Sequence, residues 1–290
     1  LKTRSRVMAT TVKLGFHVSI SGAIDRSVDR AKELGCDTFQ MFTRNPRSWK
    51  FGALENEEVE AFKEKRRDSG IDPVFAHMPY IENLASPNEE IYERSIDSLS
   101  AEVERCRVLQ VPYLVTHLGS HLGSGDDKGI ARVIKAINIT HERSDECVTI
   151  LIENSSGSGG NIGSSFEQLK QILEGIGNVQ CTGVCFDTCH AFAAGYELKT
   201  LEGLTGTLES FEDLIGFDRL KLVHLNDSVG GLGTRIDHHE HIGLGEIGDE
   251  GFRFILHSRL SRVPMIMETP VDDRRSDLDN MMKARRLAVS

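Results

Sequence analysis

Six side chains of the kinds that bind metals or carry protons stand at one kind of place, just past a short apolar run: His77 after "PVFA", His117 after "YLVT", Glu153 after "TILI", Asp187 after "TGVCF", His224 after "LKLV" and Glu268 after "VPMIM". A lone histidine or carboxylate at a strand end is most often a solvated loop residue. A set brought to one rim is a different matter. Crowded carboxylates and imidazoles repel or stay unsatisfied without cations, since like charges at close range disfavour joint ionisation. Imidazole with carboxylate suits Zn²⁺ or Mn²⁺, and the chain offers no Cys-rich ligand set of the sort that closes a structural zinc site.

A second cluster lies in "TRIDHHEHIGLGEIG", which carries Asp237, His238, His239, Glu240 and His241 in a Gly-punctuated loop. With His190 from "FDTCHAFAAG" it completes another histidine and carboxylate set. In an extended segment residues two apart point the same way, which favours Asp237 with His239 or His239 with His241, and spacing does not choose between them. Several metals in one cleft suit phosphoryl transfer, where cations generate hydroxide and neutralise charge on the phosphate and leaving oxygens. A sugar isomerase needs fewer ligands. Cys181, Cys185 and Cys189 share the parity of Asp187 if their strand stays regular, and read as packing residues. A nucleophilic pair of Cys189 and His190 is poorly supported, because adjacent residues rarely bring thiolate and imidazole into hydrogen-bond contact.

The elements that must position these groups repeat one unit: a short β-rich apolar run, a polar loop, then a helical pattern. The runs are "KLGFHV", "TFQMFT", "PVFAHM", "YLVTHL", "TILIEN", "TGVCFDT", "LKLVHLND" and "VPMIMETP". Between them, apolar residues at three- and four-residue intervals predict helices over Ala23 to Leu34, Glu57 to Arg67, Glu89 to Leu109, Lys128 to His141 and Phe166 to Leu173, with Gly35 and Gly70 as helix stops. Eight strand-helix units without a long linker or composition break predict an α/β fold, a single-domain (β/α)8 TIM barrel over residues 13–290 behind an N-terminal tail of residues 1–12. A doubly wound sheet is the rival. In a barrel, strand ends and the loops after them build the active site, so the six residues share one rim, and "SSGSGG" at 155–160 is a loop rather than a domain boundary.

Bulk properties narrow the partners. A formal net charge of −10 argues against diffuse, nonspecific wrapping of nucleic acid but leaves room for a local basic site and for metal cations. Six cysteines are sparse in 290 residues and favour a reducing, cytoplasmic setting. The basic start lacks an apolar signal core, and no apolar run is long enough for a bilayer, so no membrane partner is expected.

The motifs "GFHVSISGA", "MFTRNPRSW", "AHMPYIENLA", "THLGSHLG", "IENSSG", "FDTCHAFAAGY", "VHLNDS", "TRIDHHEHIGLGEIG" and "METP" together resemble the endonuclease IV family of metal-dependent apurinic/apyrimidinic endonucleases, from Lys13 to the C-terminal helix. The resemblance implies three Zn²⁺ ions, with Mn²⁺ able to replace zinc. By it, His77 and His117 would bind one ion, Asp187, His224 and Glu268 a second, and Glu153 both; His190, Asp237 and His239 would hold the third. It further implies hydrolysis 5′ to abasic sites in double-stranded DNA, leaving a 3′-hydroxyl and a 5′-deoxyribose phosphate, with Glu153 and Glu268 catalytic. Repair of blocked 3′ ends and a monomeric state follow from the same resemblance. Positions matching Arg47 and Tyr80 would enter the DNA at the lesion, where the abasic nucleotide is flipped out. Arg44, Arg47 and Lys50 beside Trp49 in "RNPRSWK" offer phosphate contacts, against the plain reading of a solvated loop. The chain departs from the family pattern at Leu118, where many members carry proline, and adds His238 and His241.

Two other functions fit less of the chain. A divalent-metal sugar isomerase or epimerase of the xylose-isomerase-like barrel type leaves His77, His117, His190, Asp237 and His239 without a common role. A noncatalytic lesion-binding protein with structural zinc leaves the complete ligand set without a use.

Overall fold

Strands that are covered on both faces are mainly apolar along their length, and each of the eight runs forms such a strand. The computed structural model describes residues 12–50, 52–144 and 146–290, so the expected N-terminal tail falls, through residue 11, outside the described residues. The strands are β1 (Leu14–Val18), β2 (Thr38–Met41), β3 (Val74–His77), β4 (Tyr113–Thr116), β5 (Thr149–Glu153), β6 (Thr182–Asp187), β7 (Leu220–His224) and, after two short pieces β8 (Asp227–Ser228) and β9 (His239–Glu240), β10 (Met265–Met267). The eight long-run strands close in the order β1-β10-β7-β6-β5-β4-β3-β2. Every barrel pairing is parallel, and β1 pairs with both β2 and β10, a closure that excludes the doubly wound sheet. Strands β8 and β9 pair antiparallel. The fold is a TIM barrel.

Helices α1 (Arg26–Glu33), α2 (Asn56–Ser69), α3 (Glu89–Leu109), α4 (Asp126–Glu142), α5 (Phe166–Gly175), α6 (Thr188–Ala194), α7 (Leu201–Leu214), α8 (Gly248–His257) and α9 (Asp277–Leu287) follow the strands. The helix expected from Lys128 begins two residues earlier because Asp126 and Asp127 occupy its first turn, where carboxylates favour the helix dipole. Gly35 and Gly70 take φ of 67° and 70° just past α1 and α2, the left-handed conformation that stops a helix.

Two apolar layers hold the barrel. One packs helices on the outer face of the sheet; the other fills its interior with Phe75, Val115, Leu151, Cys185, Leu222 and Ile266, all fully buried. Gly15 lies where β1 and β2 approach: a Cβ there would sit 1.7 Å from the Thr38 carbonyl oxygen, so only glycine fits that pairing.

The cysteines differ from expectation. Cys181 precedes β6 in a short 3₁₀ turn and is disulfide-bonded to Cys147, with Cα atoms 5.5 Å apart, because the segments entering the adjacent strands β5 and β6 meet at the N-terminal face of the barrel. Cys189 lies in α6, off the strand's alternation, and only Cys185 packs the interior in line with Asp187. Among the described residues, no helix is long and apolar enough to cross a membrane.

Candidate metal centre

Residues two apart on a strand face the same side, and this one rule builds the centre. Two positions beyond Phe75, Val115, Leu151, Cys185, Leu222 and Ile266 stand His77, His117, Glu153, Asp187, His224 and Glu268. The apolar interior is therefore the floor of the site. The same level holds His17 on β1 and Gln40 on β2, paired with each other in register.

Glu153 is the hub. Its Oε2 lies 3.4 Å from His77 Nε2 and 3.2 Å from His117 Nε2, and its Oε1 lies 3.0 Å from His224 Nδ1 and 3.3 Å from His190 Nδ1. Burial alone would push this carboxyl up, but the imidazoles of His224 and His117 outweigh it and hold Glu153 well below the ordinary carboxylate range. The same balance holds Glu268 low, with His224 as the leading partner. Burial would likewise push His190 down; Asp187, Asp237 and Glu153 reverse that and hold it well above its usual value. For His77, burial prevails and lowers it.

The "DTCH" spacing has a local cause. Asp187 ends β6 and caps α6, its Oδ1 accepting the His190 backbone N–H at 2.7 Å, so a carboxylate and an imidazole three residues apart are turned into one space. His190 Nε2 meets Asp237 Oδ1 at 3.1 Å. His239 lies beside Asp187, Nε2 to Oδ2 3.7 Å. Donor atoms of His77, His117 and Glu153, of Asp187, His224 and Glu268, and of Asp187, His190 and His239 each fall within 4.8 Å of one another.

These residues fit divalent cations. The ring of His77 donates from Nδ1 to the Met78 carbonyl (2.6 Å), His190 to the Asn154 carbonyl (2.9 Å) and His239 to the Glu268 carbonyl (3.1 Å). A carbonyl only accepts, so Nδ1 carries a proton in each ring and Nε2 is the nitrogen turned to the cleft, the one that would give its lone pair to a cation. The His239 Nε2 is buried with no hydrogen-bond partner, an orphaned acceptor that a cation would satisfy. Cys185 forms a further group with Glu153 and His224, donor atoms within 4.8 Å of one another, and burial pushes its thiol up to about 12, as it does that of Cys189.

Supporting amides were missed in the sequence. Asn226 Nδ2 donates to Asp187 Oδ2 at 2.7 Å while its Oδ1 accepts the Glu268 N–H at 2.8 Å; Asn154 binds the Asp187 backbone through both ends of its amide. Their signal was present in "HLND" and "IEN", where an amide follows a strand end within two residues. Asp227, fully buried, accepts N–H groups from Ser228, Gly243, Gly245 and Ile247 at 2.8–3.0 Å and so ties down both ends of the loop that carries Asp237 and His239.

Beside the centre lies a cleft of about 370 Å³ bordered by Tyr80, His117, Glu153, Asn161, His190 and Asp237. Tyr80 is 58% exposed at its mouth, its ring 6.0 Å from that of His117. Arg47 and Lys50 are exposed on the loop after β2, and the Arg94 guanidinium covers the Trp49 ring at 4.5 Å. Arg44 is corrected as a phosphate contact. It is buried, paired with Glu102 and with Glu82 at 3.0 Å, and donates to the Ser48 carbonyl at 2.7 Å, so its charge is compensated inside and it supports the loop from beneath. Of the added histidines, His238 is exposed, whereas His241 is buried and bound to Asp272 and Asn280 at 3.0 and 2.9 Å.

With that geometry in view, the comparisons with known proteins agree. The family model described as xylose isomerase-like TIM barrel matches residues 28–287. A probable endonuclease 4 of Methanoculleus marisnigri is 52% identical over 279 residues, covering 96% of this chain and 99% of that protein. The crystal structure of endonuclease IV from Thermus thermophilus superposes with a TM-score of 0.82 at 36% identity, over 96% of this chain and 98% of that one. D-psicose 3-epimerase from Clostridium cellulolyticum shares the barrel alone, at 13% identity and a TM-score of 0.64 over 95% of each chain. Chain-length similarity to the curated relative and the superposition on a solved member together place this chain in the endonuclease IV family.

Proposed function

We propose that the protein hydrolyses the phosphodiester 5′ to abasic sites in double-stranded DNA, leaving a 3′-hydroxyl and a 5′-deoxyribose phosphate, and that it clears blocked 3′ ends at the same centre. The observation that supports this is the overlap of the donor groups: Asp187 belongs to two of them and Glu153 contacts residues of all, so cations held there would be neighbours in one cleft. His77, His117 and Glu153 would hold one Zn²⁺, Glu153, Asp187, His224 and Glu268 a second, and His190, Asp237 and His239 a third, with Mn²⁺ a substitute. Bound there, such cations supply a water of lowered pKa and Lewis-acid stabilisation of the phosphate and departing oxygens.

The chain's own residues do the remainder. Glu153 and Glu268 orient the attacking water in line with phosphorus, and their low proton affinity keeps both ionised and accepting. Tyr80 and Arg47 occupy the place of the missing base, Lys50 contacts backbone phosphate, and the abasic nucleotide turns into the cleft, where lack of a base lowers the cost of unstacking. The protein acts as a monomer with residues 13–290 as one catalytic unit.

The test is incision of a duplex carrying one tetrahydrofuran abasic analogue, before and after prolonged chelation. That analogue cannot undergo β-elimination. Cleavage to a 3′-hydroxyl that disappears with the metal and returns with zinc or manganese is the expected result. Absence of incision by metal-replete protein, with turnover of a ketose at about one ion per chain, would establish the sugar isomerase reading instead.

A further inference from the structure

We propose that Gln40 is a positioning residue that presets His224 and Glu268 for a common cation. The proposal rests on the metal reading above and concerns a residue to which that reading gives no part. Gln40 is fully buried inside the barrel on β2, where an amide is costly unless each of its ends is bonded. Its Oε1 lies 2.9 Å from His224 Nε2, and its Nε2 lies 2.8 Å from Glu268 Oε1 and 2.9 Å from His17 Nδ1.

One orientation of this amide satisfies all three contacts. Turned over, its oxygen would face a carboxylate oxygen at 2.8 Å, acceptor against acceptor. With the NH₂ toward Glu268 and His17, the oxygen accepts from His224, which fixes the His224 proton on Nε2. Nδ1, the nitrogen whose lone pair a cation would take, then points at the centre, 3.0 Å from Glu153 Oε1, 3.4 Å from Glu268 Oε2 and 3.8 Å from Asp187 Oδ2. Glu268 is set by the same group: Oε1 is engaged by Gln40, and Oε2 is left toward His224.

His224 is thereby the reverse of its neighbours. His77, His190 and His239 anchor Nδ1 on backbone carbonyls and present Nε2; His224 presents Nδ1, and what holds its other nitrogen is a side chain. A carbonyl survives any substitution, whereas this anchor does not. Removing the amide releases the His224 tautomer and lets Glu268 rotate, while the anchors at the other positions stay in place.

The test replaces Gln40 with the similarly sized apolar residues in Gln40→Met and Gln40→Leu, and titrates metal-stripped full-length protein with Zn²⁺ or Co²⁺ against a chromophoric chelator. Each variant is expected to lose affinity for one bound ion by about 10–100-fold, the range for outer-sphere partners, with the other ions held as in the parent. Imidazole ¹⁵N shifts in the zinc-loaded protein should show His224 bound through Nδ1 in the parent and a mixture in the variants. Parent-like affinities and shifts in both variants would overturn the proposal while leaving the metal reading intact. Equal weakening of every ion with a lower melting temperature of the stripped protein would also overturn it, as general loosening. A parent that takes up no ion would overturn the metal reading, and this proposal with it.

Discussion

At the scale of single residues, Glu153 carries the largest share of the site, since both of its oxygens are engaged and by four imidazoles. Glu153→Gln keeps the volume but removes the charge those imidazoles face. Incision should fall by more than the roughly 100-fold typical of the strongest outer-sphere changes, with a parent-like circular dichroism spectrum. Activity retained within a few fold would remove Glu153 from the centre. The residues at this level were legible because each follows a buried apolar residue by two positions, Phe75 and His77 being one instance and Ile266 and Glu268 another. Arg44 was not. Its sequence neighbours Arg47, Trp49 and Lys50 describe an exposed basic loop, and the Glu82 and Glu102 that bury it come from later in the chain.

Among elements, the excursion that leaves β8 and returns through β9 to Ile247 depends on a single carboxylate. Asp227 collects N–H groups from both ends of this excursion, and Gly245 passes so close that a Cβ would stand 2.4 Å from the Ser228 carbonyl oxygen. Asp227→Ala strands several buried donors, at about 1–3 kcal/mol for each group left unsatisfied. It should lower the urea midpoint and weaken ion binding at His190, Asp237 and His239 before the other positions. Metal counting after mild chelation reads this directly, and uniform loss of all ions would refute the local staple. "IGLGEIG" reads as a punctuated loop from sequence, yet nothing in it announces that its amides converge on Asp227. The disulfide was hidden for the same reason: Cys147 and Cys181 are 34 residues apart, and only the pairing of β5 with β6 makes them neighbours. Strands and helices were readable because their periodicity is local, as α3 shows by occupying Glu89–Leu109, the span its pattern predicts.

For the molecule as a whole, a net charge of −10 must coexist with a polyanionic substrate. With Arg44 compensated internally, Arg47 and Lys50 remain as the basic groups of the loop after β2, so few counterions leave the DNA on binding. The slope of log affinity against log salt for abasic duplex should be shallow, roughly −1 for the one phosphate contact of Lys50. A slope near −6 or steeper would reveal a basic surface elsewhere. Closure of the ring has a further consequence, in the order of synthesis. β1 waits for β10 as its second neighbour, and Glu268 is made after every other proposed ligand. From His77 to Glu268 a ribosome at about 5–20 residues per second takes about 10–40 s. Throughout that interval the early histidines exist without the strand that seals the barrel, and a zinc ion captured then would find an incomplete set. Metal loading after closure is the sequence of events this topology favours, and a chain cut before Met265 would have neither a closed ring nor a complete centre.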